Sequence, residues 1–357
     1  MAAVRSLVSR ALRTGVASSA RRSALYFSSA KAAQFKVCVS GGAGGIGQPL
    51  TMLMSMNPTV KEVSVQDVTM SMVPAAGVAA DLGHLEFPSK VVGYSTDPSK
   101  PAVDQLEACL TGCDLVLVPA GLPRKPGMTR DDLFAVNAGI AKGIVEACAK
   151  YCPNAMIGLI VNPVNSVVPA MAELYKKKGL DPLKIIGVTT LDIVRANKFV
   201  AEITGANPAD VSVPVVGGHA GTTIMPLFSQ DPIAAKISAD KIPALDVRTQ
   251  DGGTEVVNAK AGKGSATLSM AYAGSRFGNA VLKGLAGTPT TECAYLASTV
   301  TELPYFSSKV TFGSKGVQKI HEVGPINDYE KERLAVAMKQ LKGEIEKGLE
   351  YAAENSL

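Results

Sequence analysis

The segment that begins at Phe35 places the strongest constraint on what this chain can fold into. A short apolar stretch, Phe35–Ser40, runs directly into a glycine-rich turn, and a helix is predicted to begin at its end. Glycines spaced three apart permit a tight turn, a close backbone approach to phosphate and close packing of helix on strand. The free N–H groups of the helix N-terminus then face the phosphates. The predicted phosphate-binding residues are Gly41, Gly42, Ala43, Gly44, Gly45, Ile46 and Gly47.

A glycine-rich turn alone is weak evidence for a dinucleotide, since a purely structural turn uses the same residues. A second strand-like stretch, Val63–Gln66, leads to Asp67, twenty residues after Gly47. A carboxylate at that position binds the adenosine ribose and repels a 2′-phosphate. Val68 follows it, and no arginine is at hand to bind such a phosphate. The sequence therefore predicts NAD, not NADP, as the cofactor.

Strand-like and helical stretches alternate after this unit. Residues 114–119 and 155–161 are nearly continuous apolar runs, as in strands buried on both faces of a parallel sheet. The alternation predicts a doubly wound α/β domain of the Rossmann type over residues 35–182. Beyond it, a strand-like stretch, a long strand-poor region and an amphipathic helix at 329–351 predict a second, mixed α+β catalytic domain over residues 183–355.

The first 30 residues have the composition of a targeting segment. They contain five arginines and no acidic residue, and the first carboxylate of the chain is Glu62. A basic amphipathic segment without acidic residues is typical of mitochondrial and chloroplast transit peptides. We therefore predict a transit peptide over residues 1–30 and a mitochondrial matrix location, with a plastid as the alternative. A disordered tail without a targeting role is the other interpretation of the segment.

The net charge of +5 originates in this leader. The chain has 36 lysines and arginines against 31 acidic residues, so removal of the five leader arginines leaves 31 of each. A balanced remainder gives no reason to expect nucleic acid or a membrane surface as a partner. The sequence also has no apolar run of the roughly 18 residues that a membrane helix needs.

Six cysteines and three histidines offer little for a metal site. Two cysteine pairs, Cys109/Cys113 and Cys148/Cys152, have the i, i+4 spacing of neighbours on a helix, but no histidine cluster accompanies them. For an intracellular chain this pattern favours free, buried or partly buried thiols over disulfides or metal ligands. We predict no metal.

Three further segments contain residue types suited to chemistry on an anionic substrate. Arg124 and Arg130 lie in one loop after an apolar strand, and arginine binds carboxylates through a planar fork. Asp192 and Arg195 are three apart on a predicted helix and so share one face. His219 lies among glycines after a strand, and imidazole suits proton transfer near neutral pH. Taken singly, these residues also fit a solvated loop, a surface ion pair and a structural histidine.

Together the segments resemble the malate dehydrogenase family, from Phe35 to the C-terminal helix. The resemblance implies that His219 is the general acid/base, and that Asp192 orients its imidazole and stabilises the imidazolium form. It implies malate and oxaloacetate as the substrate pair, NAD as the cofactor and a role in the tricarboxylic acid cycle. The matching stretches are 41–50, 119–130, 162–165, 191–195 and 217–221.

The resemblance also implies how the substrate and the nicotinamide are held. Arg195 binds the C1 carboxylate, Arg124 binds the distal carboxylate, and Arg130 completes the anionic pocket. A lactate-type site is expected to have a neutral amide in place of Arg124, because pyruvate has only one carboxylate. The remaining implied contacts are Asn162, with the substrate and the cofactor, and Asn137, Ile160, Val161 and Met270, along the nicotinamide.

Two alternatives remain open at this point. One is another NAD-dependent 2-hydroxyacid dehydrogenase of the lactate type, against which Arg124 argues. The other is a catalytically silent NAD-binding protein, which the loss of His219 or Asp192 would mark, and both residues are present. The resemblance and the prevalence of symmetric assemblies further imply a homodimer or a homotetramer.

Overall fold

The computed structural model describes residues 34–122 and 130–357. Six strands form the parallel part of a single sheet, in the order β3-β2-β1-β4-β5-β6. The predicted doubly wound parallel sheet is confirmed. These strands are β1 (Phe35–Ser40), β2 (Val60–Val68), β3 (Lys90–Thr96), β4 (Leu115–Val118), β5 (Met156–Leu159) and β6 (Ile185–Gly187).

The second half of the chain extends the same sheet with antiparallel strands. The two parts join where Gly187 of β6 pairs with Tyr295 of the ninth strand, and the order continues as β9-β10-β7-β8, with β11 paired to β10. These strands are β7 (Val215–Gly217), β8 (Ile224–Pro226), β9 (Thr290–Ala297), β10 (Tyr305–Gly313) and β11 (Gly316–Ile320).

Helices cover both faces of the parallel sheet. They are α1 (Gly47–Ser55), α2 (Ala75–Leu82), α3 (Glu107–Leu110), α4 (Arg130–Tyr151), α5 (Val164–Lys177), α6 (Thr190–Thr204), α7 (Ile242–Ala259), α8 (Leu268–Leu285) and α9 (Asp328–Glu354). In β4, Val116 packs in a cluster with Val167 of α5, whereas Leu117 packs in a second cluster with Phe277 of α8. Successive strand residues point to opposite faces, so burial of both faces explains the continuous apolar runs in the sequence.

Strands in the second half are where the sequence and the structure differ most. Residues 290–320 form three strands, β9 to β11, within the region that the sequence describes as strand-poor. In β10 the polar Ser307 and Ser308 are buried, so polarity and exposure do not alternate along the strand. The parallel sheet also continues to residue 187, whereas the domain boundary near residue 182 stays a prediction. The leader, residues 1–30, lies outside the described residues.

All six cysteines are buried thiols. Five of them share one hydrophobic cluster, in which the sulfur atoms of Cys38 and Cys109 are 3.5 Å apart. A hydrogen bond to Cys152, together with burial, raises the pKa of Cys148, which keeps the thiol neutral and unreactive. Within residues 34–122 and 130–357, no three or more His, Cys, Asp and Glu side chains are grouped to hold a metal ion, and no helix there is long and apolar enough to span a membrane.

The C-terminal helix α9 lies against α5 at very short range. Its N-terminus is capped by Asn327, whose Oδ1 accepts from the Glu330 N–H at 2.9 Å, while the Glu330 carboxylate accepts from the Asn327 N–H at 3.1 Å. A Cβ atom at Gly348 would come within 2.3 Å of the Ser166 carbonyl oxygen of α5. The two backbones therefore approach so closely that no side chain fits at residue 348.

We expect Gly348→Ala to destabilise the protein, although alanine is the better helix former. The added methyl group forces α9 away from α5 and should lower the free energy of unfolding by about 1–3 kcal/mol. Gly343, in the same helix, has open space around its Cα, so Gly343→Ala should raise that free energy by about 0.5–1 kcal/mol. Thermal unfolding at matched scan rates measures both, and equal shifts for the two variants would contradict the close contact.

Candidate active site

The glycine-rich turn between β1 and α1 has no room for side chains on its inner side. Gly41 has a φ of 90°, and a Cβ atom there would come within 2.6 Å of the Ala120 backbone nitrogen. A Cβ atom at Gly47 would come within 2.0 Å of the Gly41 carbonyl oxygen. Gly44 and Gly45, by contrast, are exposed at the tip of the turn. The turn therefore presents bare backbone beside a helix N-terminus, which is what a pyrophosphate requires.

Asp67 lies against this turn at the end of β2. Its Oδ2 accepts a hydrogen bond from the Ala43 N–H at 2.9 Å, and its Oδ1 accepts one from the Val68 N–H at 2.8 Å. A cavity of about 420 Å³ opens beside it, with Gly41, Asp67 and Ile140 in its lining. A carboxylate next to a bare glycine turn and an open cavity fits the adenosine half of a dinucleotide.

The side chains of His219 and Asp192 meet at the ends of two different strands. Asp192 is in the first turn of α6, just after β6, and His219 follows β7. The imidazole Nδ1 lies 2.6 Å from Asp192 Oδ2, with the aspartate side chain fully buried and the histidine side chain 12% exposed. A carboxylate only accepts hydrogen bonds, so Nδ1 carries the hydrogen. In the neutral ring the other nitrogen, Nε2, then has the lone pair that can accept a proton.

Arg195 lies one helical turn after Asp192 on the same face of α6. Its Nη1 is 4.0 Å from Asp192 Oδ1, and its side chain is 13% exposed. Among the described residues, Asp192 Oδ1 has no hydrogen-bond partner, and the Arg195 guanidinium lies 4.0 Å from it. Burial lowers the pKa of Arg195 and the nearby Asp192 carboxylate opposes that effect. The result is a largely buried arginine fork next to the Asp192 carboxylate.

Helix α7 covers Arg195 with two adjacent glycines. A Cβ atom at Gly252 would come within 2.8 Å of Arg195 Cδ, whereas one at Gly253 would be 4.0 Å from Nη2. Gly252 thus leaves the space in which the arginine side chain lies.

Asn137 and Asn162 connect the loops after β4 and β5. The Asn137 amide donates to the Asn162 carbonyl oxygen at 2.7 Å, and its Oδ1 accepts from the Leu122 N–H at 2.8 Å. Asn162 itself is exposed. Three apolar residues of the predicted set are buried nearby in the fold, at the end of β5 and the start of α8. They are Ile160, Val161 and Met270.

Two predicted arginines cannot be placed with the others. Arg124 lies outside the described residues, and Arg130 begins α4 but its side chain is also outside them.

Conversely, the structure brings to the His219 loop a residue that the sequence analysis did not select. Asn165 Oδ1 accepts from the His219 main-chain N–H at 2.7 Å. In the sequence, Asn165 stands out only weakly, as a polar residue within the apolar start of a helix.

The similarity of the chain to known protein families shows which family this site belongs to. A family model described as the lactate/malate dehydrogenase NAD binding domain matches residues 35–187, and the family's alpha/beta C-terminal domain matches residues 189–352. The chain belongs to the lactate/malate dehydrogenase family. The predicted resemblance is thereby confirmed, and so is NAD as the cofactor, because the family's NAD-binding domain contains the glycine turn and Asp67.

Curated members of the family are closely similar in sequence. "Malate dehydrogenase 1, mitochondrial" of Arabidopsis thaliana is 55% identical over 328 residues, which are 91% of this chain and 93% of that protein. "Malate dehydrogenase, mitochondrial" of Citrullus lanatus is 53% identical over 99% of this chain and 98% of that protein. A glyoxysomal malate dehydrogenase of the same plant is 54% identical over 89% of this chain and 87% of that protein.

Solved structures of both branches of the family share the fold. The malate dehydrogenase of Picrophilus torridus, in its apo form, has a TM-score of 0.77 and 26% identity, covering 90% of this chain and 99% of that one. A lactate dehydrogenase of Cryptosporidium parvum, complexed with lactic acid and the dinucleotide, has a TM-score of 0.74 and 25% identity, covering 88% and 98%. Since the two scores are so close, the fold alone does not distinguish the malate from the lactate dehydrogenases.

We expect Gly252→Ala to impair carboxylate binding through Arg195. The methyl group displaces the arginine side chain, and a misplacement of this kind should lower kcat/KM for the keto acid about 10- to 100-fold. The matched control is Gly253→Ala, whose methyl group only touches Arg195 and should change kcat/KM by less than about threefold. Steady-state kinetics and NADH binding by fluorescence measure both variants. Equal effects of the two substitutions on kcat/KM would contradict the view that the absence of a side chain at Gly252 positions Arg195. A loss of NADH affinity in Gly252→Ala would contradict it as well.

Proposed function

We propose that this protein is an NAD-dependent malate dehydrogenase that interconverts (S)-malate and oxaloacetate. The observation that carries the proposal is the buried Asp192–His219 pair with Arg195 beside it. Identity of 53–55% to malate dehydrogenases over most of the chain supports the same substrate pair. The proposed place in metabolism is the tricarboxylic acid cycle.

His219 is the proposed general acid/base of the reaction. In malate oxidation, Nε2 of the neutral imidazole accepts the hydroxyl proton while the C2–H bond breaks and its electron pair leaves as hydride. NAD, when bound, supplies the acceptor for that hydride. The buried Asp192 carboxylate stabilises the imidazolium that results, which lowers the barrier to proton transfer. In oxaloacetate reduction the imidazolium returns the proton to the carbonyl oxygen.

Two carboxylates of the substrate require at least two cationic groups. We assign Arg195 to the C1 carboxylate and Arg124 to the distal one, with Arg130 completing the pocket. Asn162 donates a hydrogen bond to the substrate and contacts the cofactor. The buried side chains of Ile160, Val161 and Met270 exclude water from the nicotinamide side, and Asn137 holds the surrounding loops.

The assembly and the domain limits are part of the same proposal. We propose a homodimer or homotetramer, because closed symmetric assemblies predominate among soluble enzymes. The dinucleotide-binding domain is proposed to span residues 35–182 and the catalytic domain residues 183–355. The glycine turn lies in the first and His219 in the second, and the proposed reaction takes place between them.

Arg124→Gln tests the substrate assignment. Loss of the cation that pairs with the distal carboxylate should remove about 3–5 kcal/mol of transition-state binding for oxaloacetate. Turnover of pyruvate, which has a methyl group in place of that carboxylate, should stay constant or rise, and NADH affinity should not change. Steady-state kinetics with both keto acids provide the measurement.

Lys125→Gln is the matched control for Arg124→Gln, because it removes one positive charge from the same loop without removing the fork. It should leave the preference for oxaloacetate over pyruvate within about threefold of the unmodified protein. Equal losses of both keto-acid activities in Arg124→Gln would exclude Arg124 as the residue that recognises the second carboxylate.

The proposed location is the mitochondrial matrix. The arginine-rich leader and the mitochondrial names of the relatives support it, and the match to the Citrullus lanatus protein extends over 99% of this chain. We expect the mature protein to lack about the first 30 residues. Intact-mass measurement of the protein from purified mitochondria decides the point. A mature chain that still begins at Met1, or recovery only from plastids, would refute it.

A further inference from the structure

The loop that contains His219 is fastened to helix α5 by one buried side chain. Asn165, in the first turn of α5, is 1% exposed, and its Oδ1 accepts the His219 main-chain N–H at 2.7 Å. Its own carbonyl oxygen accepts from the Tyr295 hydroxyl at 3.1 Å. Asn165 thus has a fixed backbone, and its amide oxygen sets the position of the histidine main chain.

The orientation of the Asn165 amide is determined by helix α9. Its Nδ2 donates to Glu344 Oε2 at 2.6 Å and to Thr223 Oγ1 at 3.0 Å. A carboxylate has no hydrogen to donate, so the NH₂ group must face Glu344 and the amide oxygen must face His219. The Glu344 carboxylate is held in turn by Gln340, whose Nε2 donates to Oε1 at 2.9 Å.

The glycines before His219 make this contact possible. A Cβ atom at Gly218 would come within 2.7 Å of both Asn165 amide atoms, and Gly217 has a φ of 95°. The Gly218 N–H also donates to the Thr223 carbonyl oxygen at 2.8 Å. The main chain of the loop therefore lies directly on the Asn165 amide, with no side chain between them.

We propose that Asn165 and Glu344 are positioning residues for proton transfer: they fix the main chain of His219 so that its imidazole meets Asp192. Neither is assigned a contact with substrate. The proposal rests on the proposed function, since it concerns the efficiency of the same proton transfer. Asp192 holds the imidazole ring of His219, and Asn165 holds the main chain of the same residue. The two contacts together fix the position of the imidazole.

Among the described residues, Asp192 and Arg195 face the loop from α6, and Glu344 faces it from α9. Arg333, also of α9, donates to the Thr222 carbonyl oxygen of the loop at 3.2 Å. Tyr295 approaches from β9, and burial raises the pKa of its hydroxyl, which keeps it neutral. A new carboxylate at residue 165 would therefore interact most strongly with Glu344.

Asn165→Asp is the decisive substitution, because it keeps the acceptor for His219 and removes the donor to Glu344. Two carboxylates then face each other at a distance that makes the ionisation of both unfavourable, so one pKa rises. We expect kcat to fall about 10- to 100-fold at pH 8 with KM for oxaloacetate changed by less than about threefold. Relative to the unmodified protein at each pH, kcat should recover as the pH falls, because the shared proton restores the missing donor.

The double variant Asn165→Asp/Glu344→Gln tests the pairing itself. The glutamine amide donates to the new carboxylate while its oxygen still accepts from Gln340, so the hydrogen bonds of residue 344 to residues 165 and 340 each have a donor and an acceptor again. We expect kcat to return to within about threefold to tenfold of the unmodified protein, with no pH-dependent recovery. Glu344→Gln alone should be more impaired than the double variant, because its NH₂ group faces another donor at either Asn165 or Gln340.

A spectroscopic measurement separates positioning from general damage and does not depend on turnover. The chain has only three histidines, His84, His219 and His321, so the signals of histidine labelled with ¹⁵N are assignable with a His219→Asn variant. The hydrogen-bonded Nδ1–H of His219 should give a far-downfield proton in the unmodified protein and in the double variant. In Asn165→Asp at pH 8 that signal should be lost, while His84 and His321 are unchanged.

Tyr305→Phe is the matched control, because it removes a hydrogen bond to Glu173 of the same helix α5. It should leave kcat, NADH affinity and the His219 signal unchanged.

The proposal is overturned if Asn165→Asp retains full kcat and the His219 signal, if the double variant is no better than Asn165→Asp, or if Tyr305→Phe causes the same loss. Absence of malate dehydrogenase activity in the unmodified protein would refute the proposed function instead, and the His219 signals would still report on Asn165.

Discussion

Asp192 has a completely buried side chain, and a buried carboxylate is stable only where other groups compensate its charge. Three features do so here. The imidazole of His219 donates to one oxygen, Arg195 lies near the other, and the first turn of α6 contributes its positive dipole end. These groups come from the ends of β6 and β7, which the sheet separates by β9 and β10. Burial of this one charge therefore requires the two halves of the sheet to be assembled correctly.

The shape of the dinucleotide end of the site depends on the absence of side chains and not on a buried charge. The turn after β1 is shaped by the absence of side chains at Gly41 and Gly47, where a Cβ atom would collide with backbone. Asp67, the acid that is predicted to bind the ribose, is tied to the turn through the Ala43 N–H. Parallel strands bring their carboxyl ends to one edge of the sheet, and this places the turn, Asp67 and the loops after β4 and β5 side by side.

Helix α9 links the stability of the fold to the geometry of the site. Close backbone contact at Gly348 holds it against α5, and from this position Glu344 reaches Asn165 at the start of that helix. Asn165 in turn holds the main chain of His219. A residue near the C-terminus is thus connected to the histidine main chain through two hydrogen bonds, so the last helix is more than a cover for the sheet.

Local patterns in the sequence determined the glycine turn with the acid beside it, the buried parallel strands and the amphipathic final helix, because each follows from the spacing of residues within a short segment. The sequence also selected His219 and Asp192, although the contact between them became visible only in the fold. Tertiary structure alone decided the antiparallel strands β9 to β11, because the buried Ser307 and Ser308 of β10 obscure the periodicity. It alone brought together Asn165 and Glu344, which are 179 residues apart. A hydrogen bond over that separation depends on how two helices pack, and packing is set by the whole chain and by no local pattern.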